Sequence, residues 1–151
     1  DLTKENYKQY VPFIQEIADS FLPASTDLCI ESILPATELL EFLELVDRKN
    51  VSCVYDSGNR IVHGADLASE IVLLNHWIKH FHIKDKNALG ENVILGTGLV
   101  NFSSVFGALR DIDYCGNFNF ETTRGQNPEK TMVHNYHFSR FFLEESYRED
   151  C

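Results

Sequence analysis

Short apolar runs alternate with longer segments of helical periodicity along this chain. The runs that predict strands cover residues 28–31, 51–56, 78–85 and 117–121, and the third of them continues into a charged loop. Apolar residues recur at helical spacing in the segments between, which predicts helices over residues 6–22, from Thr37, over 66–77, from Asn101 and from Pro128 to Phe142. We expect Thr37, Asp66 or a neighbour of it, and Asn101 to cap their helices, residues 57–59 to form a turn, and residues 86–100 to form a long loop.

Strands that alternate with helices indicate parallel pairing with right-handed crossovers. Each predicted strand has, at or near its end, a side chain that can bind a metal: Glu31, Asp56, His82 and Glu121. In parallel α/β folds the functional residues lie at the carboxyl ends of the strands, and a curved barrel brings several consecutive ends to one point. The pattern therefore favours an α/β barrel. Since a closed barrel of eight strands needs roughly 250 residues, 151 residues supply about half of one.

Length and composition indicate a single globular domain over residues 1–151, with 44% hydrophobic and 24% charged residues. The formal net charge of −10 opposes binding to a phosphate backbone, so we expect no nucleic-acid partner. No apolar run is long enough to predict a membrane span, and the N-terminus lacks the apolar core of a signal peptide, which predicts a cytoplasmic protein without a membrane partner. The chain does not begin with methionine, and we expect further residues upstream.

The three carboxylates and one imidazole at the strand ends form a hard, oxygen-rich donor set. Such a set suits Mn²⁺ or Mg²⁺ and can accept Co²⁺ or Zn²⁺. The 4 cysteines contain no C-x-x-C pair, so we expect free thiols rather than a thiolate metal site. The alternative for any single acidic residue at a strand end is a solvated charge or a helix N-cap. His80 points the same way as His82 but deeper, which predicts a packed or hydrogen-bonded histidine.

Five motifs, in this order and spacing, resemble the sugar phosphate isomerase/epimerase family of the xylose isomerase-like barrels, a group that includes the apurinic endonucleases. They are Cys29-Ile30-Glu31, Tyr55-Asp56-Ser57-Gly58-Asn59, His80-Phe81-His82-Ile83-Lys84-Asp85, Leu95-Gly96-Thr97-Gly98 and Phe120-Glu121-Thr122-Thr123-Arg124-Gly125. The resemblance covers nearly the whole chain. It implies an α/β fold that is the C-terminal half, strands five to eight, of a (β/α)8 TIM barrel. The implied partner is the remaining half of the barrel or a second copy of this chain.

The resemblance also implies an enzyme and its site. Glu31, Asp56, His82 and Glu121 would be the ligands of a divalent metal, and Glu31 and Glu121 the acid and base that move a proton next to a carbonyl through an enediolate. The substrate would be a ketose or a sugar phosphate. Ketose 3-epimerases of this group carry a histidine at the position of Asn59 and an arginine at that of Ala88, so we expect a phosphorylated or differently shaped sugar.

Further substrate contacts are expected from one set of residues: Asn59, Lys84, Arg124, Gly96 and Gly98. Backbone N–H groups of barrel loops often bind phosphate, although a plain glycine turn explains Gly96 and Gly98 as well. For Lys84, the alternative to a substrate contact is an ion pair with Asp85 in the loop. Two other functions stay open. One is a metal-dependent hydrolase or lyase on the same barrel, such as an endonuclease or an inosose-type dehydratase, and the other is a non-catalytic half-barrel.

Overall fold

The computed structural model describes residues 2–146 of the chain. Its strands are β1 (Leu28–Glu31), β2 (Val51–Asp56), β3 (Ile78–Ile83) and β4 (Asn117–Phe120). Its α-helices are α1 (Val11–Phe21), α2 (Ala36–Val46), α3 (Ser57–Ile61), α4 (Leu67–Leu74), α5 (Phe102–Asp111) and α6 (Pro128–Ser146). The strands form one parallel sheet in the order β1-β2-β3-β4, which confirms the predicted alternation of parallel strands with helices.

One face of the sheet is covered by the helices and forms the core. Tyr55 and Phe81 are fully buried there and stack with their ring centroids 5.4 Å apart. Phe118 packs against Phe81 at 5.9 Å, so an aromatic layer crosses three strands. Residues that alternate with these, such as His80 and Asn119, lie on the opposite face and are half-buried or exposed. The sheet is therefore apolar toward the helices and polar on the face that a barrel turns inward.

Two of the three predicted helix caps are confirmed. The Asp66 side chain accepts the N–H of Ser69 at 3.4 Å, and the Asn101 side chain accepts that of Ser104 at 3.2 Å. The prediction for Thr37 is wrong: α2 begins at Ala36, because the carbonyl of Pro35 already accepts the N–H of Leu39.

Two predicted helices are shorter than expected. The N-terminal one divides into a 3-10 turn, Tyr7–Tyr10, and α1, because Pro12 has no N–H and is tolerated only in the first turn of a helix. The helix predicted to reach Trp77 ends at Leu74, where another 3-10 turn, Asn75–Trp77, leads into β3.

The predicted turn after β2 is the short helix α3. The Asp56 carboxylate accepts the N–H of Asn59 at 2.7 Å, which is the side-chain cap that starts a helix at Ser57. Within residues 2–146, no helix has both the length and the apolar character that crossing a membrane requires.

The cysteines agree only in part with the prediction of free thiols. Cys29 and Cys53 are free, and burial raises the pKa of the Cys53 thiol to about 12. Cys115, in the exposed turn before β4, is disulfide-bonded, which corrects the prediction for that residue. Cys151 lies outside the described residues.

Candidate metal centre

The four predicted ligands meet at the carboxyl end of the sheet. One ligand atom from each of Glu31, Asp56, His82 and Glu121 lies within 4.8 Å of the other three. Glu31 and Asp56 are the last residues of their strands, and Glu121 directly follows β4. The N–H of Glu121 still donates to the carbonyl of Ile83 at 3.2 Å, so the backbone ladder fixes the position of Glu121 as well.

His82 lies at the centre of the cluster. Its Nδ1 atom is 2.8 Å from Oε2 of Glu121, 3.5 Å from Oδ2 of Asp56 and 3.7 Å from Oε2 of Glu31. Three carboxylate oxygens thus lie within 3.7 Å of one ring nitrogen, so the four groups are close enough to share one cation.

Two atoms of the cluster test whether a metal fits. Asp56 Oδ2 and His82 Nδ1 are buried and have no hydrogen-bond partner among the described residues, since their short contacts with charged neighbours lack hydrogen-bond geometry. Buried polar atoms without partners are costly unless something else satisfies them. Oxygen and nitrogen bind divalent ions at about 2.0–2.3 Å, so two ligands of one ion lie no more than about 4.6 Å apart, and the four ligand atoms, all within 4.8 Å of one another, are close to this limit. The spacing and chemistry of the cluster therefore fit a divalent cation.

The cluster has an inner and an outer part. The side chains of Asp56 and His82 are only 2% and 15% exposed, whereas those of Glu31 and Glu121 are 43% and 48% exposed. The two glutamates are thus the members of the cluster that are open to solvent.

Asp56 is both a helix cap and a member of the cluster. Its position in the sequence is compatible with either role. Its Oδ1 atom caps α3 through the N–H of Asn59, and its Oδ2 atom faces His82. The helix cap fixes the carboxylate so that the second oxygen points into the cluster.

Lys84 lies inside the cluster rather than in the loop. Its Nζ atom is 2.7 Å from Oε1 of Glu121 and 3.0 Å from Oδ2 of Asp56, with only 4% of the side chain exposed. Burial acts to lower the pKa of Lys84, but the hydrogen bonds and charges of Glu121 and Asp56 outweigh it and raise the pKa. Burial likewise acts to raise the pKa of Glu121, but Lys84 and His82 bring it below its usual value.

Asn59 links the two outer glutamates through Lys84. Its Nδ2 group donates to Oε1 of Glu31 at 3.3 Å, and its Oδ1 atom accepts from Lys84 Nζ at 3.4 Å. Lys84 in turn donates to Glu121, so a polar chain runs from one glutamate to the other. Of the predicted substrate contacts, Asn59 and Lys84 are therefore part of the site.

Gly96 and Gly98 have a different role from the one predicted. Their N–H groups donate to Oδ2 of Asp85 at 3.0 and 2.8 Å, and the N–H of Val100 donates to Oδ1 at 3.1 Å. Asp85 is fully buried, and a Cβ atom on Gly98 would lie 2.2 Å from its carboxylate. The two N–H groups hold the loop 86–100 and are not available to a phosphate, which corrects their prediction as substrate contacts.

Two remaining residues lie outside the cluster. Arg124 is exposed and makes no hydrogen bond or ion pair with residues of the described part of the chain. His80 is half-buried, and its ring packs edge-on against His82 with centroids 5.2 Å apart. His80 therefore lies next to the cluster and is not one of its four members.

Comparison with known proteins identifies the fold family. A family model described as the xylose isomerase-like TIM barrel matches residues 1–141. The chain belongs to this family. In a TIM barrel the loops and side chains at the carboxyl ends of the strands form the active site, and the cluster lies at that end. The four parallel strands correspond to about half of such a barrel, as the sequence predicted.

Three similar proteins show how much of the barrel is covered. A curated L-ribulose 3-epimerase from Methylomonas sp. (strain DH-1) is 27% identical over 128 residues, which are 80% of this chain and 43% of that protein. A solved structure of L-ribulose 3-epimerase has a TM-score of 0.79 and 21% identity over 96% of this chain and 56% of that one. A crystal structure of D-psicose 3-epimerase in the presence of D-fructose has a TM-score of 0.76 and 25% identity over 95% and 58%. The chain spans about half the length of these relatives.

Arg60 is a residue of this half-barrel that the sequence did not single out. It is 4% exposed, and its guanidinium donates to the carbonyls of Ser32 at 2.9 Å and Leu34 at 2.8 Å and to the Glu70 carboxylate at 2.5 Å. Arg60 thereby ties the segment after β1 to α3 and α4, and so fixes the end of the strand that carries Glu31. Its position on the buried side of a short helix indicates a structural role. The sequence does not reveal its partners, because they are distant along the chain.

A cavity of about 580 Å³ opens beside the cluster. It is lined by Leu2, Glu31, Ser32, Ile33, Asp56, Asn59 and Arg60. The wall of the cavity thus combines acidic and amide groups with apolar side chains.

Proposed function

We propose that this chain forms the metal-binding half, strands five to eight, of a divalent-metal-dependent ketose epimerase or isomerase. The observation that carries the proposal is the convergence of one imidazole and three carboxylates from four consecutive strand ends within 4.8 Å. Support comes from the family and from relatives named L-ribulose 3-epimerase and D-psicose 3-epimerase.

Glu31, Asp56, His82 and Glu121 would hold the metal. Carboxylate oxygens and a single imidazole favour Mn²⁺ or Mg²⁺, and Co²⁺ or Zn²⁺ are compatible with the same donors. A bound divalent ion supplies positive charge that polarises the substrate carbonyl and stabilises an enediolate.

Glu31 and Glu121 would move the proton. Both side chains are about half exposed, they come from the first and last strands of the sheet, and each has one oxygen near His82. One carboxylate would remove the proton from the carbon next to the carbonyl, and the other, as the acid, would return a proton to the opposite face. Asn59 and Lys84 hold the second oxygen of each glutamate and thus orient both groups.

A ketose without a phosphate group is the better substrate for this site. The N–H groups of Gly96 and Gly98 are used by Asp85, and Arg60 is used by two carbonyls and Glu70. Arg124 is exposed and is not part of the cavity lining. Among the described residues, the groups expected to bind phosphate are thus occupied or distant, whereas Asn59 and the acidic residues suit sugar hydroxyls.

The second half of the barrel would come from another polypeptide segment or from a second copy of the chain. The edges of the sheet, β1 and β4, each lack a neighbour on one side within the described structure. Large apolar side chains are also exposed before β1, at Phe13 and Leu22, and after β4, at Val133 and Phe141. Analytical ultracentrifugation tests this, because a compact and cooperatively melting monomer of this chain alone would contradict it.

The function is tested by incorporation of solvent deuterium into ketoses. The protein is incubated in D2O with Mn²⁺ and a panel of ketoses and ketose phosphates, and the label is located by NMR. We expect deuterium at the carbon next to the carbonyl of at least one unphosphorylated ketose, with loss of exchange after chelation or in the Asp56→Ala variant. Exchange that survives chelation, or hydrolysis or dehydration without exchange, would assign another activity to the site.

A further inference from the structure

The backbone and stem of Lys84 fit into a cradle formed by Ser57 and Gly58. The Ser57 hydroxyl donates to the carbonyl of Lys84 at 2.7 Å and lies 3.1 Å from the Lys84 N–H, from which it accepts. A Cβ atom on Gly58 would lie 2.5 Å from Cγ of Lys84 and 2.8 Å from its Cδ. Position 58 thus leaves room for the lysine stem only because it is glycine.

The ammonium group of Lys84 contacts Asp56 and Asn59, which flank this cradle in the sequence, and also Glu121. Three oxygen atoms lie within 3.4 Å of Nζ, one each from Asp56, Asn59 and Glu121. An ammonium group has three N–H donors, and these three oxygens surround it, so the charge of Lys84 is directed into the cluster. All four residues from Asp56 to Asn59 therefore contact Lys84, and the segment serves to hold this cation as well as to supply a ligand.

The charges of the centre explain why a buried cation is placed there. Glu31, Asp56 and Glu121 carry three negative charges when ionised, and Lys84 cancels one of them. The remaining two match a divalent ion. Lys84 contacts Asp56 and Glu121, the same carboxylates that would bind this ion, and its contact with Asp56 is to Oδ2, the oxygen that also faces His82.

On the basis of the metal centre in the proposed function, we propose that Lys84 is a resident positive charge that weakens the binding of the divalent ion. The Lys84 ammonium group and a divalent ion held by the same carboxylates repel each other even in a water-like dielectric, and the buried surroundings strengthen the repulsion. The cation keeps the carboxylates paired without the ion and makes metal binding weaker than the three carboxylates alone would give. Lys84 is a positioning and charge-balancing residue, and its effect appears in metal affinity without any substrate present.

The test is a calorimetric titration of the chain with Mn²⁺ alone. The variants Lys84→Met and Lys84→Gln remove the charge, the second while keeping a hydrogen-bond donor. Lys79→Met is the matched control, because it removes the same charge from β3 at an exposed site, where Lys79 pairs with Asp27 at 3.1 Å. Thermal melting establishes which variants are folded, and the glutamine variant serves if the methionine variant is not.

We expect the folded Lys84 variants to bind Mn²⁺ roughly ten-fold more tightly than the parent, with the Lys79→Met variant within about two-fold of the parent. Equal or weaker binding in the Lys84 variants, or equal tightening in Lys79→Met, would overturn the role of Lys84. If the parent binds Mn²⁺ and the Lys84 variants bind no more tightly, only this inference fails. If neither the parent nor any variant binds Mn²⁺, the metal centre of the proposed function fails together with it.

Discussion

Asp56 and His82 are register partners in adjacent parallel strands, and their Oδ2 and Nδ1 atoms lie 3.5 Å apart. The backbone ladder, and not a chance approach of two loops, sets this distance. His82 is also the register partner of Asn119, which puts Glu121 two residues further along the neighbouring strand. The core of the centre is therefore built into the sheet itself, where its geometry depends on strand pairing.

In the complete barrel, the variants Glu31→Gln and Glu121→Gln separate proton transfer from metal binding. Glutamine keeps the size of the side chain and one carbonyl oxygen but cannot act as a base, so metal affinity should fall moderately while turnover falls by at least about 10²-fold. With one epimer as substrate, one variant should still release the substrate proton into solvent without forming product, and the other should do neither. With the opposite epimer the two variants should exchange behaviour. Deuterium exchange and product formation are measured together.

The control for this pair is Glu44→Gln, an exposed residue on α2 that should keep full activity. If either site variant, loaded with metal, turns over within a few-fold of the parent, that glutamate is not an acid or base in the reaction.

Replacement of Arg60 by methionine should destabilise the fold strongly. It leaves the Glu70 carboxylate and the carbonyls of Ser32 and Leu34 without their partner, and breaking a buried pair of this kind costs about 3 kcal/mol or more. Arg140→Met is the matched control, because Arg140 pairs with Glu144 on the surface of α6, where such pairs contribute less than about 1 kcal/mol. Urea denaturation gives both free energies of unfolding. Equal effects of the two substitutions would show that Arg60 does not hold the segment after β1.

Asp85→Asn should release the loop 86–100. An amide in place of the carboxylate retains one accepting oxygen, so at least one of the N–H groups of Gly96, Gly98 and Val100 loses its acceptor, at a cost of about 1–3 kcal/mol. Hydrogen exchange of these three amides should accelerate, while exchange in β2 and β3 changes little. Asp111→Asn, an exposed change at the end of α5, serves as the control. Unchanged protection of the three amides would contradict the role of Asp85.

The sequence predicted the parts of this site that depend on periodicity and position. Strand ends are recognisable because an apolar run stops at a polar side chain. Parallel strands place such ends at one edge, so the sequence alone predicts that Glu31, Asp56, His82 and Glu121 lie together. The caps Asp66 and Asn101 were predicted for a similar reason, since a polar residue directly before a periodic apolar segment is a local signal.

The sequence could not predict features that depend on contacts between distant residues. The Lys84 side chain occupies the space that a side chain at position 58 would fill. No local sequence pattern reveals this contact. Asp85 finds its partners in Gly96, Gly98 and Val100 only after the loop has folded back. The same limit applies to Arg60, whose acceptors lie 10 to 28 positions away.

The four strand ends are proposed to form one divalent-metal centre with a single nitrogen ligand. Pulsed EPR of the Mn²⁺-loaded protein measures this most directly, because it detects the nuclear coupling of each imidazole nitrogen bound to the ion. We predict coupling to one imidazole, lost in His82→Ala saturated with Mn²⁺ and retained in His80→Ala, together with a fall of about ten-fold or more in the affinity of the His82 variant only. Coupling to two imidazoles, coupling that persists without His82, or no bound Mn²⁺ in the parent would contradict the account.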